Sequence, residues 1–183
     1  HGGTLDSTAS GLLIILVGAA TRLSNFIMEM PKLYETVACL GAETSTDDAS
    51  GEIISSNGRG TVSEKDIDLA LSSFMGWRMQ APPDVSAVHV DGRRAHELVR
   101  EGHDVHIEKK PVFFCSSART SDISDDGKVS LRINCRKGIY IRSFVRDMGQ
   151  LLGCGAYVSE LKRSSCGPFE LDNALDASLL EHI

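Results

Sequence analysis

The sequence predicts an α+β domain built on a largely antiparallel sheet, and three observations carry that prediction. Alternating apolar runs are joined by the turn sequences Asp91-Gly92 and Asp125-Asp126-Gly127, which favour hairpins over parallel crossovers. Helical periodicity, as at Ile67, Ala70, Leu71 and Phe74, occurs in scattered stretches rather than in regular alternation with strands. The chain has 183 residues, 42% of them apolar, enough to bury the core of one compact domain covering 1–183.

The chain opens with a run of small residues, His1-Gly2-Gly3-Thr4-Leu5-Asp6 and then Ser7 to Gly11, in which Asp6 is the single carboxylate. Taken alone, such an aspartate reads as a turn residue ahead of a strand. Leu12 to Val17 then reads as a buried strand, and Ala19 to Met28 as a short helix ended by Pro31. Tyr34 to Leu40 reads as a second strand, and the polar, Gly-containing stretch 41–60 as a long turn or hairpin. Ser63-Glu64-Lys65-Asp66 is a variant capping box that starts the helix of Ile67 to Phe74.

Gln80-Ala81-Pro82-Pro83 is extended, because each proline disfavours helix in the residue before it. Ser86 to Val90 alternates as a strand, and Arg93 to Glu101 reads as a polar helix that Gly102 terminates. Between Pro111 and Ile133 two strands flank Asp125-Asp126-Gly127, with Val129, Leu131 and Ile133 facing inward. Ile139 to Leu152 begins extended and turns helical, Gly153 and Gly155 break it, and a last strand spans Val158 to Lys162. Asn173 to Ile183 reads as a terminal helix.

Five scattered cysteines without a C-x-x-C pair suit reduced thiols better than a disulfide framework. The apolar run 11–20 is too short to span a bilayer and follows an acid rather than a basic segment, so a cytoplasmic protein with no membrane association is expected. The net charge of −6 hides a strong asymmetry. Residues 35–76 carry eight acids against Arg59 and Lys65, whereas residues 128–163 carry eight bases against Asp147 and Glu160. An anion-binding face opposite an acidic one leaves this pattern, as do two solvated faces.

Four segments in order, H-G-G-T-L-D-x-x-A-S-G at 1–11, K-L-Y at 32–34, K-G-I-Y-I-R at 137–142 and E-L-K-R at 160–163, resemble the TruB-type tRNA pseudouridine synthases. L-G-A-E-T-S-T-D-D-A-S-G at 40–51 and P-P-D-V-S-A-V-H-V-D-G-R-R-A at 82–95 extend the likeness along nearly the whole chain and point to the stand-alone bacterial-type branch. The resemblance implies the pseudouridine synthase catalytic fold, a mixed sheet flanked by helices with an RNA-gripping loop at 82–111. It implies isomerisation of uridine 55 in the T-arm of tRNA, with no cofactor, no metal and no obligatory protein partner.

By the same resemblance Asp6 is the catalytic carboxylate at the anomeric carbon of the flipped uridine, in the way glycosidases use carboxylates. A carboxylate partly desolvated by a base needs a cation beside it, and Arg142 takes that place. Tyr34 offers a ring to stack on uracil and a hydroxyl for proton transfer, Leu161 an apolar wall, and His1 an imidazole toward the space the base leaves. Lys32 either orders the pocket or contacts phosphate. Arg93 and Arg94, with Arg100, Lys109 and Lys110, are expected on phosphates. His89, His96, His103 and His106 in the same loop lack the accompanying ligands of a zinc pattern.

Ser7 stands where the family usually has proline, and His89 and His96 where it often has lysine and tyrosine. The chain also reads as lacking the family's upstream segment and its C-terminal PUA domain. Two other functions stay open on the sequence: a guide-RNA-directed synthase of the dyskerin type, and a non-catalytic RNA-binding or tRNA-folding module.

Overall fold

The computed structural model describes residues 1–86 and 107–178, and between them the backbone of 89–90 and 93–94. In chain order the strands are β1 (Ala9–Gly11), β2 (Lys32–Leu40), β3 (Ala42–Thr44), β4 (Ile53–Ser56), β5 (Gly76–Gln80), β6 (His89–Val90), β7 (Arg93–Arg94), β8 (Lys110–Arg119), β9 (Lys128–Cys135), β10 (Ala156–Cys166) and β11 (Phe169–Glu170). The α-helices are α1 (Ser24–Glu29), α2 (Glu64–Ser73) and α3 (Ile141–Leu151).

Seven strands form one sheet in the order β1-β10-β2-β9-β8-β5, with β11 folded back on β10. All its pairings are antiparallel except β1 with β10, so the sheet is mixed but largely antiparallel. Alternation buries one face: Ala38 and Leu40 of β2, Val129, Leu131 and Ile133 of β9, and Val112 and Phe114 of β8 point to α2 and α3. Phe144 of α3 packs between Phe74 and Phe114, with both centroid separations 4.9 Å. The expected capping box forms at α2, where Asp66 N donates to Ser63 Oγ at 3.3 Å and Ser63 N to Asp66 Oδ2 at 2.9 Å. The hairpin around Asp125-Asp126-Gly127 forms too, and β3 and β4 make the hairpin within 41–60.

Several element readings need correction. Residues 12–17 are no strand: the ladder is made by Ala9–Gly11, and of the apolar run only Leu12 is buried while Leu13, Ile15 and Val17 are exposed. Ala19 to Met28 divides into a 3-10 helix, Gly18–Leu23, and α1. Ile139 and Tyr140 are not strand but the lead into α3, and the last long strand extends to Ala156–Cys166. Arg93 and Arg94 pair with Val90 and His89 as a two-residue ladder instead of opening a helix, and Ser86 is outside any strand. Residues 95–106 and 179–183 lie outside the described residues, and of the expected terminal helix the described part holds 3-10 turns at Leu171–Asn173 and at 177–178. The strand Gly76–Gln80 went unread: Trp77-Arg78-Met79-Gln80 alternates, but over only four residues ahead of the prolines, and its apolar members Trp77 and Met79 are exposed.

Candidate active site

Arg142, the second residue of α3, is brought beside the opening loop although 136 positions separate it from Asp6. Its Nε donates to Asp6 Oδ2 at 2.8 Å, and Nη1 donates to the carbonyl oxygens of Thr46 at 3.0 Å and Val85 at 3.2 Å. The arginine side chain is only 6% exposed and the aspartate 36%, so the cation lies behind the carboxylate and leaves it facing outward. Such multiply anchored guanidinium geometry fixes orientation as well as charge.

A second carboxylate, Asp48, stands 3.7 Å from the same Nε and is buried. Burial pushes its carboxyl up, but hydrogen bonds from Ser50 and Thr46 together with the Arg142 charge outweigh this and hold it below the ordinary value. One turn further along α3, Arg146 pairs with Asp47 at 2.7 Å and donates to Ala81 O at 3.1 Å. These pairs pin the loop after β3 to the helix. Asp47 takes a left-handed backbone, φ 60°, that aims successive carboxylates at successive arginines.

In front of Asp6 lies a cavity of about 330 Å³. Tyr34 from β2, Leu161 and Arg163 from β10, Lys32, Tyr140 and the loop Gly2–Leu5 contribute to its wall. The size is within the range of small-molecule pockets. Burial pushes the Tyr34 phenol above its ordinary value, with a partly offsetting hydrogen bond from Arg163. Burial, and then the Asp6 charge, do the same to Tyr140. The structure thus gathers Asp6, Tyr34, Arg142, Leu161 and Lys32 in one place.

Lys32 Nζ is turned inward and donates to Ile27 O at 3.2 Å, Met28 O at 2.5 Å and Met30 O at 2.7 Å. Of the two expected uses, this geometry matches ordering of the pocket wall. His1 is exposed and is not part of the cavity wall. The side chains of Arg93 and Arg94, like those of the four loop histidines, lie outside the described residues. Among the described residues no three His, Cys, Asp or Glu side chains are grouped to hold a metal, and no helix is long and apolar enough to cross a membrane.

Sequence reasoning missed three residues. Arg163 is buried and donates to Leu12 O at 2.8 Å, Gly3 O at 3.1 Å and Thr4 O at 3.4 Å, so it braces the loop that carries Asp6. Tyr140 forms part of the wall, its backbone clamped by the Gln80 amide at 2.9 and 3.1 Å. Asp48 is the third. All three lie inside the quoted motifs, but only the fold shows which motif positions meet.

Residues 1–141 match the N-terminal domain of the TruB family of pseudouridylate synthases. The chain belongs to that family. Residues 142–183 match the C-terminal domain of tRNA pseudouridylate synthase B, and the main sheet draws strands from both segments. Among similar proteins, tRNA pseudouridine synthase B of Cereibacter sphaeroides is 38% identical over 183 residues, covering all of this chain and 60% of the relative. That of Ruegeria pomeroyi is 41% identical over 181 residues, covering 99% and 59%. This TruB-family chain therefore spans about 60% of the length of the curated relatives it matches. Its fold resembles that in the crystal structure of a Cbf5-Nop10-Gar1 complex, with TM-score 0.67 and 27% identity over 93% of this chain and 40% of the other. It is thus the fold of a pseudouridine synthase catalytic chain, α+β with a mixed sheet flanked by helices.

Proposed function

We propose that this chain converts uridine to pseudouridine in tRNA, at position 55 of the T-arm, as one catalytic unit acting without a guide RNA in the cytoplasm. The observation that carries this reading is the Asp6–Arg142 pair at the head of the Tyr34–Leu161 cavity. The reaction cuts the uracil from ribose at N1, turns it and rejoins it through C5. Asp6, held by Arg142, acts at the sugar, either on C1′ or on the C2′ proton. Tyr34 stacks on the base and keeps its phenolic proton at neutral pH. Leu161 closes the opposite wall, and water is excluded from the sugar while the glycosidic bond is open. None of these steps calls for a cofactor or a metal.

The uridine must leave its stack to reach this cavity, at a cost of a few kcal/mol. His1, Arg93 and Arg94 are assigned to the RNA side of that exchange, His1 toward the vacated position and the two arginines on phosphates. Lys32 shapes the wall from within.

The test is tritium release from unmodified tRNA transcript carrying C5-labelled uridine, with no guide RNA present and Asp6→Asn as control. Turnover by the parent chain and none by Asp6→Asn is the expected result. The guide-directed alternative predicts release only when a guide is added. RNA binding without release under either condition would leave a binding module instead.

A further inference from the structure

The face of the main sheet turned away from α2 and α3 carries an aromatic strip at its β5 edge. Val112 and Phe114 of β8 point into the core, so Phe113 between them points the other way, and its cross-strand partner is Trp77 of β5. The two rings meet edge to face, with centroids 5.3 Å apart and planes at 70°. Trp77 is 68% exposed and Met79, two residues on, 58%. Continuous exposed apolar surface of this kind on an edge strand marks a contact site more often than an accident of packing.

The strip connects to the cavity through one residue. The Arg136 guanidinium covers the Phe113 ring at 5.0 Å from its centroid, while Arg136 also contributes to the wall of the cavity in front of Asp6. Among the described residues its side chain makes no hydrogen bond or ion pair beside that ring contact. At the other end Met79 lies opposite Pro111 on the same face. A cation at the cavity rim, a stacked phenylalanine and an open indole follow one another toward the edge. A cation beside aromatic faces suits a single-stranded nucleic acid, a phosphate on the first and bases on the second.

We infer that Trp77, Phe113 and Arg136 form a stacking and phosphate-binding track for the RNA nucleotides that flank the uridine in the cavity. This inference rests on the proposed action on RNA and adds a path by which the strand leaves the site. Trp77 receives an unpaired base and Arg136 holds the phosphate between that base and the flipped nucleotide.

Trp77 is the chain's only tryptophan, so its emission reports on this strip alone. The full chain is titrated with an unmodified T-arm stem-loop RNA at fixed salt, following tryptophan emission and filter binding in parallel. Emission should be quenched with the same midpoint as filter binding. Trp77→Ala and Arg136→Gln should each weaken binding about tenfold and raise KM in step, while Trp77→Phe stays within about threefold of the parent. RNA that binds and is turned over with emission unmoved, and with both variants at the parent's affinity, overturns the track alone and assigns the strip to protein packing. A chain that neither binds nor modifies RNA overturns the functional reading and the track with it.

Discussion

The Arg142 guanidinium joins Asp6 at 2.8 Å and Asp48 at 3.7 Å through the same Nε, so one buried cation serves two carboxylates from different loops. Its Nη1 is fixed on two carbonyl oxygens, which leaves the arginine no freedom to follow either acid. Asp6 is therefore placed by α3 more than by its own glycine-rich loop.

Arg142→Lys should cost activity although it keeps the charge. A lysine ammonium is a point charge on a flexible stem and cannot hold Asp6, Thr46 O and Val85 O together from one planar fork. Turnover in the tritium-release assay should fall by about a hundredfold or more, with tRNA affinity within about threefold, since loss of orientation acts on the reacting geometry. Near-parental turnover in the lysine variant would show that charge alone suffices.

Asp48 gives the protein an acid-sensitive element. Its folded-state pKa lies below the unfolded value near 3.9, so its contribution is present above about pH 4 and lost as pH falls through the folded value. Asp47, which burial pushes up against the pull of Arg146, has the opposite sign: its contribution is complete below the unfolded value and lost as pH rises. Asp48→Asn should lower the melting temperature at pH 7 and flatten its decline between about pH 5 and pH 3. Parallel declines in parent and variant would remove Asp48 from that role.

Much of this arrangement was legible in the chain. The hairpin after β8, the capped α2 and the segments bearing Asp6, Tyr34, Arg142 and Leu161 follow from local patterns or motifs. The parts that were not legible depend on contacts distant in sequence. Residues 12–17 look like a strand because they are apolar, yet a strand needs a partner edge, and β10 offers its edge to Ala9–Gly11 instead. Arg163 looks like one more solvated base beside Lys162, but alternation along β10 turns it inward under the Gly3 and Thr4 carbonyls. Trp77-Arg78-Met79-Gln80 alternates too briefly to read as a strand, and its apolar members face outward rather than into the core.

Lys32→Met separates a structural lysine from a phosphate contact. The substitution keeps an unbranched apolar stem but leaves the buried carbonyl of Ile27, and the part-buried ones of Met28 and Met30, without the ammonium that α1's C-terminal turn leans on. A buried acceptor left unpaired, here Ile27 O, costs about 1–3 kcal/mol, which corresponds to a fall in melting temperature of about 5 °C in a chain of this size. The slope of log affinity for tRNA against log salt should not change. A slope shallower by about one unit, with the melting temperature unmoved, would place Lys32 on a phosphate.

Gly149→Ala sets helix propensity against packing. The residue lies inside α3, where alanine is intrinsically preferred over glycine by about 1 kcal/mol, so propensity alone predicts a more stable protein. Packing predicts the reverse. A Cβ at this position would fall inside van der Waals contact of the backbone at Gly155 and Ala156, where β10 begins, and the Gly149 carbonyl accepts from Cys154 N at 3.2 Å and Gly155 N at 3.0 Å. Backbone atoms cannot swing aside as a side-chain end does, so α3 must lift from β10, and overpacking of this kind costs about 1–3 kcal/mol or more. We expect net destabilisation of about 2 kcal/mol in urea unfolding. Because Arg142 rides on the other end of the same helix, turnover should fall as well, while Gly153→Ala, where a Cβ meets nothing within 4 Å but φ is 74°, should destabilise without that kinetic loss. A Gly149→Ala protein more stable than the parent would show that α3 is not held against β10 by this contact.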